Sequence, residues 1–320
     1  MAAIAIDLAP AARRLGGMVL IAFLGAALVF FVMRAGHGDP ALSALGDQAT
    51  PEAIAAFRKL WGLDAPLIVQ FWNWLSGALT GNFGKSMTVA GGVPIATLVG
   101  SRLPNTLFIG LYAMAIAVVI SLVAGTVSAL RHGRMIDSVA TGLAVLGISM
   151  PDFWLSYVLV YALALGAGIF PSYGFISPAE SLSGAFYSGF LPALAVAAPM
   201  AAAFTRMLRT ALIETLYRDH VRVARSLGYS GAFIFLHYVF RNALIPYVTV
   251  IGLQVRYLLG GTVVVERIFG IPGIGALMVD AAFGRDYGLV QACALTFLVC
   301  VLIVNFLVDS LCAALNPRAT

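Results

Sequence analysis

Long apolar stretches without a charged residue constrain this chain more than any other feature. A helix needs about 20 apolar residues to cross the roughly 30 Å of hydrocarbon in a membrane. Only 10% of the 320 residues are charged, against about 25% in soluble domains. Five uncharged windows are 15–33, 103–130, 153–179 (with 138–151 leading into it), 181–205 and 288–308, and a sixth, 242–265, is interrupted by Arg256. We therefore predict an all-α integral membrane protein with six transmembrane helices.

The first window also admits a second interpretation, as a secretory signal peptide. Arg13 and Arg14 precede it, and residues 41–44 resemble a cleavage site. The apolar region of a signal peptide, however, spans about 7–15 residues, and this window is longer and lies well upstream of that site. We interpret it as an uncleaved membrane anchor.

The arginines indicate how the chain is oriented, because short cytoplasmic loops carry an excess of Lys and Arg. Arginines precede the first span, separate the second from the third, crowd the segment 206–241 and recur at Arg318. The segment between the third and fourth spans contains Glu180 and neither Lys nor Arg, and the segment 266–286 has more acids than arginines. Both termini are therefore predicted to be cytoplasmic. In a membrane protein, the distribution of Lys and Arg among the loops reports orientation, so the net charge of +5 does not indicate nucleic-acid binding.

The segment that follows the first span is long enough to form a small extracytoplasmic domain. Thr50 is placed to cap a helix that has Pro51 at its first position and Gly62 as its stop. A second helix is predicted at Leu67–Leu79. The domain organisation predicted is a cytoplasmic segment and first span at 1–34, an extracytoplasmic domain at 35–102 and a five-helix core at 103–320.

Motifs that would indicate catalysis, a metal site or a cofactor are weak. The run 84–86 lacks the upstream glycine of a phosphate-binding loop, and 270–275 has the wrong glycine spacing for a dinucleotide fingerprint. We interpret the first as an ordinary loop and the second as a flexible outer turn. The four histidines are isolated, without a nearby acid at ligand spacing, and the three cysteines form no C-x-x-C pair. The sequence predicts no enzyme activity, no metal and no cofactor.

The inner segment 206–241 is basic and patterned as two short helices joined at Gly228. Arg218, Arg222 and Arg225 recur at helical spacing on one face, while Val221, Ala224 and Leu227 occupy another. Ser230 is placed to cap the second helix, which is predicted to end near residue 242. Such amphipathic helices either lie among anionic lipid headgroups or insert into a partner protein, and the residues alone leave both possibilities open.

The run from Asp219 to Gly228, followed by 241–246, resembles the coupling loop of permease subunits in ABC importers. It is most similar to the dipeptide, oligopeptide and nickel class, and in particular to the permease that carries an outer domain after its first span. Further motifs extend the resemblance over nearly the whole chain. They are Gly38-Asp39-Pro40, Leu63-Asp64-Ala65-Pro66, Gly81-Asn82-Phe83-Gly84-Lys85-Ser86, Ser149-Met150-Pro151-Asp152-Phe153-Trp154, Leu259-Gly260-Gly261-Thr262-Val263-Val264-Val265-Glu266, Pro272-Gly273-Ile274-Gly275, Arg285-Asp286-Tyr287 and Asn316-Pro317-Arg318.

The resemblance implies an inner-membrane subunit of a bacterium that forms a translocation pathway with a second, homologous permease. It implies two cytoplasmic ATPases that hydrolyse ATP and an external binding protein that delivers the substrate. Ala224, Arg225 and Gly228 would fit a cleft on the ATPase, with Ala224 allowing close approach. The chain departs from the general importer motif, since Arg222-Val223-Ala224 stands where Glu-Ala-Ala opens that motif.

The implied function is import of di- or oligopeptides, with nickel chelates, glutathione and small glycans as open substrates. Two other functions are weighed beside it, namely a secondary transporter and a membrane scaffold that recruits a soluble partner. Secondary transporters usually have repeated halves and coupling acids near mid-membrane, whereas the acids of this chain lie mostly at the ends of spans.

Arg256 lies about midway along the fifth predicted span, roughly 15 Å from its outer end. An arginine at mid-bilayer costs about 2.5–3.5 kcal/mol on insertion scales, so it should face a wet cavity or an acidic partner. We predict either that Arg256 lines the translocation pathway and favours substrates with a carboxylate, or that it forms an ion pair with the partner permease. Asp152, which follows Pro151, is predicted to make a polar contact between helices.

Overall fold

The computed structural model describes residues 8–35, 39–46 and 49–315, and these residues are almost entirely helical. Two segments, Val160–Gly166 and Phe235–Phe240, are π-helical. The helices are α1 (Leu8–Ala35), α2 (Pro40–Leu45), α3 (Pro51–Leu60), α4 (Leu67–Leu79), α5 (Ile95–Leu130), α6 (Met135–Ser149), α7 (Asp152–Leu159), α8 (Leu182–Leu216), α9 (Asp219–Ser226), α10 (Gly231–Ile234), α11 (Arg241–Phe269), α12 (Ile274–Phe283) and α13 (Tyr287–Leu315).

Within the described residues, five helices are long and apolar enough to cross a membrane. The number rises to seven if each of two bent pairs counts as one span. These pairs are Met135–Ser149 with Asp152–Gly166, bent by 111°, and Gly260–Phe269 with Ile274–Phe283, bent by 80°. The six spans predicted from the sequence fall inside this range.

The predicted window 153–179 is wrong as one continuous helix. Helix α6 ends at Ser149, the chain turns sharply, and the helical segment that begins at Asp152 ends at Gly166. Pro151 explains the break, because proline cannot donate a backbone hydrogen bond and disfavours helical backbone at the residue before it. Gly168 has a φ of 64°, a left-handed conformation that marks the end of the second segment.

The chain divides into two compact units. One consists of residues 104–276 with 304–315, and the other contains the described part of 1–103 with 277–303. In the first unit α8 is the central helix, and it packs most extensively against α11 and α6. Small residues bring these helices close together, since a Cβ on Gly147 of α6 would lie 3.1 Å from the Cβ of Ala202 in α8. The core of this unit therefore surrounds α8.

The helices predicted between the first two spans are confirmed in the other unit. Helix α3 begins at Pro51, and the Thr50 side chain accepts a hydrogen bond from the Ala53 amide at 3.2 Å. Gly62 follows with a φ of 63°, and α4 has the predicted bounds. Rings of α1 and α4 pack together, with the Phe30 and Phe71 centroids 5.4 Å apart.

Candidate functional site

The basic segment that the sequence predicts to be cytoplasmic forms one short helix and a turn, residues 217–230. We call it the coupling segment after the loop that its sequence resembles. Helix α8 continues to Leu216, so this segment is shorter than the excursion 206–241 that the sequence predicts. Gly228 adopts a φ of 79°, a left-handed conformation that glycine reaches without a Cβ penalty. Ser230 accepts a hydrogen bond from the Phe233 amide at 3.4 Å, which confirms the predicted cap.

The second helix of this region does not end near residue 242 as the sequence predicts. After Ser230 the chain is helical through α10, the π-helical segment 235–240 and α11, as far as Phe269. Asn242 does not end the helix, because the residues on both sides of it are helical. The coupling segment is therefore covalently continuous with long helices at both ends, α8 before it and α11 after it.

The two faces of α9 differ sharply in exposure. Val221 and Ala224 are 0% and 3% exposed and belong to the hydrophobic core. Arg222 and Arg225 are exposed, and so are Val223 at 56% and Leu227 at 68%. The small Ala224 side chain therefore allows close packing within this chain, a different reason for it than the sequence suggested. The exposed surface of this segment combines two arginines with two apolar side chains.

Arg218 precedes α9 and lines a cleft of about 290 Å³. The cleft lies between the end of α8, the start of α9 and the first turns of α11, with Glu214, His220 and Asn242 also in its wall. Arg222 lies 3.8 Å from Asp219 in a fully solvated ion pair. Pairs of this kind add little stability, so these arginine side chains remain available on the surface.

A buried carboxylate fastens α8 upstream of the coupling segment. Asp137 of α6 is 4% exposed. It accepts hydrogen bonds from Arg209 Nε at 2.6 Å and Nη2 at 2.8 Å and from the Gly133 amide at 2.9 Å. Ser128 of α5 donates another at 2.5 Å. Arg209 lies about two helical turns before the end of α8, so this cluster joins three helices close to the coupling segment.

His132 is part of the same cluster, although the sequence places no acid at ligand spacing from it. Its Nδ1 lies 3.0 Å from Asp137 Oδ2 and 3.1 Å from Arg209 Nη2. The turn at Gly133, with a φ of 75°, brings the two side chains together across five residues. Among the residues that the structure describes, no three His, Cys, Asp or Glu side chains are arranged to hold a metal ion.

A second carboxylate, Glu266, organises the glycine-rich turn after α11. Glu266 is fully buried and accepts hydrogen bonds from Thr106 Oγ1 at 2.7 Å and from the Ala276 amide at 2.9 Å. A Cβ on Gly273 would lie 2.3 Å from the Glu266 carboxyl carbon, and one on Gly275 would lie 2.8 Å from its Oε2. The predicted turn is present between α11 and α12, and its glycines let the backbone close around the Glu266 side chain.

A third carboxylate, Asp286, organises the loop that contains Ser86 in the other compact unit. Asp286 Oδ2 accepts hydrogen bonds from Ser86 Oγ at 2.6 Å, from the Met87 amide at 2.8 Å and from the Thr88 amide at 3.1 Å. The backbone amides of this loop thus surround a carboxylate of the same chain. This agrees with the interpretation of residues 84–86 as a structural loop.

A fourth carboxylate, Asp152, lies at the break between α6 and α7. Its Oδ2 accepts a hydrogen bond of 2.6 Å from Tyr257 Oη of α11, which confirms the predicted contact between helices. Both side chains line a cavity of about 700 Å³, together with Ser149, Pro199 and Gly261. Position 256 lies in α11, but the side chain of Arg256 lies outside the part of the chain that the structure describes.

Most of these residues belong to motifs named above, but the sequence does not indicate which motifs are in contact. The motif 149–154 meets the motif 259–266 through Asp152, and Glu266 of the latter meets 272–275. The motif 81–86 meets 285–287 through Asp286. One feature of the sequence indicates that these carboxylates have partners, because an ionisable residue within a membrane segment is costly and usually has a partner or a function.

Two family models match the chain. The model described as binding-protein-dependent transport system inner membrane component matches residues 117–320. The model described as the N-terminal part of a binding-protein-dependent transport system membrane component matches residues 9–107.

Among curated proteins, the chain is similar to the glutathione transport system permease protein GsiC of Escherichia coli strain K12. The two are 37% identical over 305 residues, which covers 95% of this chain and 96% of that protein. GsiC of Shigella dysenteriae serotype 1 has the same identity and coverage.

Among solved structures, the chain is similar to an amino acid ABC transporter crystallised with histidines, with a TM-score of 0.53 and 18% identity over 67% of this chain and 92% of that one. It is also similar to the inward-facing MetNI methionine ABC transporter, with a TM-score of 0.53 and 17% identity over 68% of this chain and 96% of that one. At such identities the likeness shows a shared fold.

Proposed function

The chain belongs to the family of inner membrane components of binding-protein-dependent transport systems, and from this membership we propose that it imports short peptides as one permease of an ATP-driven complex. The match to GsiC over 95% of the chain supports the function of an ABC importer permease. The name of that relative makes glutathione, itself a short peptide, a candidate substrate beside di- and oligopeptides. The alternative functions, a secondary transporter and a scaffold, differ from this proposal because neither would require ATPase partners.

We further propose that a second permease, two cytoplasmic ATPases and an external binding protein complete the transporter. ATP hydrolysis then takes place on the separate ATPases, and this chain converts their movement into alternating access. We propose that residues 35–102 form an outer domain and residues 103–320 the core. The coupling region inside 206–241 and both termini are proposed to be cytoplasmic.

The exposed face of α9 is the proposed contact with the ATPase. Arg222 and Arg225 supply charge for acidic groups, while Val223 and Leu227 supply apolar area that is otherwise left to water. Gly228 allows the reversal that returns the chain to the membrane. Arg218 precedes the helix, and its backbone carbonyl accepts a hydrogen bond from the Val221 amide at 3.0 Å. The single observation that carries the proposal is this apolar and basic surface, held by a buried Val221–Ala224 face between two long helices.

The proposal is tested by reconstituting the complete complex, with the neighbouring-gene partners, in liposomes loaded with ATP. Uptake of a labelled dipeptide is expected only when ATP, the ATPases and the binding protein are all present. Uptake by this chain alone along an ion gradient would instead support a secondary transporter. No uptake under either condition would support a scaffold.

Arg256 is tested in the same assay by Arg256→Gln. If Arg256 lines the pathway, uptake of a dipeptide with a free carboxylate should fall by about tenfold or more, while uptake of the C-terminally amidated dipeptide should change little. A charge interaction at low dielectric is large enough for this difference. Equal loss for both substrates together with failed assembly would assign Arg256 to an ion pair with the second permease.

A further inference from the structure

The break between α6 and α7 places irregular backbone inside an apolar segment. Met150 is extended, with φ −85° and ψ 126°, and Pro151 follows before α7 begins. At membrane depth such backbone is tolerated only where protein buries it or where it lines a water-filled cavity. The break lines the cavity of about 700 Å³ described above. Cavities of about 300–1,000 Å³ are typical of small-molecule sites, and a short peptide is of that size.

Asp152 is the acidic residue in the wall of this cavity. Among the described residues that line it, none is Lys, Arg or His. Among the described residues, the Tyr257 hydroxyl of α11 donates a hydrogen bond to this carboxylate at 2.6 Å, and the backbone N–H of Asp152 itself donates another. An ionised carboxylate has about four acceptor positions, so these two donors leave acceptor positions open, and neither carries a positive charge that would balance the carboxylate. A cation that enters the cavity would be attracted strongly, because Coulomb energies increase as the dielectric falls.

The rest of the wall determines which kind of cation fits. Met150, Phe153 and Val264 are apolar, and a Cβ on Gly261 would lie 3.3 Å from Asp152 Oδ2, so the glycine leaves the carboxylate uncovered. One carboxylate and one hydroxyl do not supply the six or more oxygens of a Ca²⁺ or Mg²⁺ shell. An ammonium group with three donors on an apolar body matches this wall.

Building on the proposed function, we propose that Asp152 and Tyr257 form a pathway site for the ammonium group of a transported peptide. The carboxylate accepts a hydrogen bond from the ammonium and neutralises its charge. Tyr257 holds the carboxylate in position through the hydrogen bond from its hydroxyl. The site faces the apolar wall, so it would select for the charged amino group without reading the peptide side chains.

The charge of the cavity is tested first, without any substrate. In a background lacking Cys293, Cys300 and Cys312, Ser149→Cys places a thiol in the cavity wall. We compare its rate of reaction with a cationic and an anionic methanethiosulfonate reagent. Asp152→Asn should lower the ratio of the two rates by about fivefold or more, since it removes a nearby charge. The same change should not affect the ratio at Ser183→Cys, an exposed site outside the cavity.

Transport by the full complex then tests recognition of the amine. For alanylphenylalanine, Asp152→Asn should lower ATP-driven uptake by about tenfold, Tyr257→Phe less, and Asp152→Glu least. For the N-acetylated dipeptide, measured relative to wild type, Asp152→Asn should have little effect.

Two results would overturn the site. One is an unreactive Ser149→Cys, or a reagent ratio that does not respond to Asp152→Asn. The other is equal loss of uptake for the free and acetylated dipeptides, which would make Asp152 a structural contact alone. If the wild-type complex imports neither peptide while the reagent ratio responds to Asp152, the proposed substrate is wrong and the cationic site stands.

Discussion

At the scale of single residues, the four carboxylates differ in what balances their charge. Asp137 forms a bidentate ion pair with the guanidinium of Arg209. Glu266 and Asp286 are held by hydroxyl and backbone N–H groups. The Asp152 carboxylate accepts a hydrogen bond from the Tyr257 hydroxyl and lines an open cavity. The first three therefore fix the fold, whereas Asp152 retains acceptor capacity for a ligand.

We expect the Asp137–Arg209 pair to be essential to the stability of its compact unit. Asp137→Ala should lower the free energy of unfolding by about 3–5 kcal/mol, because it leaves a partly buried guanidinium without a counter-charge. Replacing both residues together with leucine should cost less than either single replacement. The measurement is denaturant unfolding of the purified chain in detergent.

Arg222→Ala is the matched control for that measurement, because its pair with Asp219 is solvated on both sides. It should leave the unfolding free energy unchanged. A double replacement as costly as the sum of the single ones would show that Asp137 and Arg209 are not coupled.

Residue roles were only partly predictable from sequence. The contact of Asp152 and the cap at Thr50 follow from local rules. The partner of Asp286 lies 200 residues away at Ser86, and nothing in the order of residues encodes that pairing. The contact between His132 and Asp137 was not predicted for a different reason, since the turn at Gly133 brings together two residues that are not at ligand spacing.

At the scale of elements, the sequence predicts that α9 has two different faces, but it does not indicate which face packs against the core of the chain. Periodicity separates Val221 and Ala224 from Arg222 and Arg225. It cannot tell whether the small, apolar face meets a partner or the chain's own core, because both environments favour the same residues. Packing decides this, and the structure buries Val221 and Ala224.

Two neighbouring valines give a matched test of this direction. Val221→Ala should lower the unfolding free energy by about 1–3 kcal/mol, because it removes buried methyl groups. Val223→Ala, at an exposed position, should change stability by less than about 0.5 kcal/mol and should weaken binding of the ATPases. Stability is measured by unfolding in detergent and binding by titration of the purified ATPase.

An equal loss of stability in the two variants would contradict the assignment of faces. Unchanged ATPase affinity in Val223→Ala would contradict the use of the exposed face as a docking surface.

Helix boundaries show the same division between local and tertiary causes. Helix α4 has its predicted bounds because Pro66 and the turn after Leu79 act locally. The 111° bend at Met150 and Pro151 was not predicted. Proline within an apolar run is compatible with a mild kink, since neighbouring helices can satisfy the freed backbone groups. Only the packing around α6 and α7 determines how far the chain turns.

At the scale of the whole molecule, orientation depends on charge rather than on packing. The arginines at 131, 134, 218, 222 and 225 fall between the long helices, in connections that the positive-inside rule assigns to the cytoplasm. Those at 206, 209 and 241 lie in the adjoining parts of α8 and α11. The connection between the π-helical end of α7 and α8, residues 167–181, has no Lys or Arg and is assigned to the outside. From this order we propose that the coupling segment lies on the cytoplasmic side, where ATP is present.

Thiol labelling of intact cells tests that orientation in the chain lacking its native cysteines. Ser183→Cys, at the start of α8, should react with a membrane-impermeant maleimide in intact cells. Ser226→Cys, at the end of α9, should react only after the cells are lysed. Expressing the chain without its ATPases ensures that a docked partner does not shield residue 226, which is exposed in the free chain. Because α8 joins the two positions through one apolar helix, labelling of both in intact cells would contradict a span at 182–216 and would remove the coupling segment from the reach of any cytoplasmic ATPase.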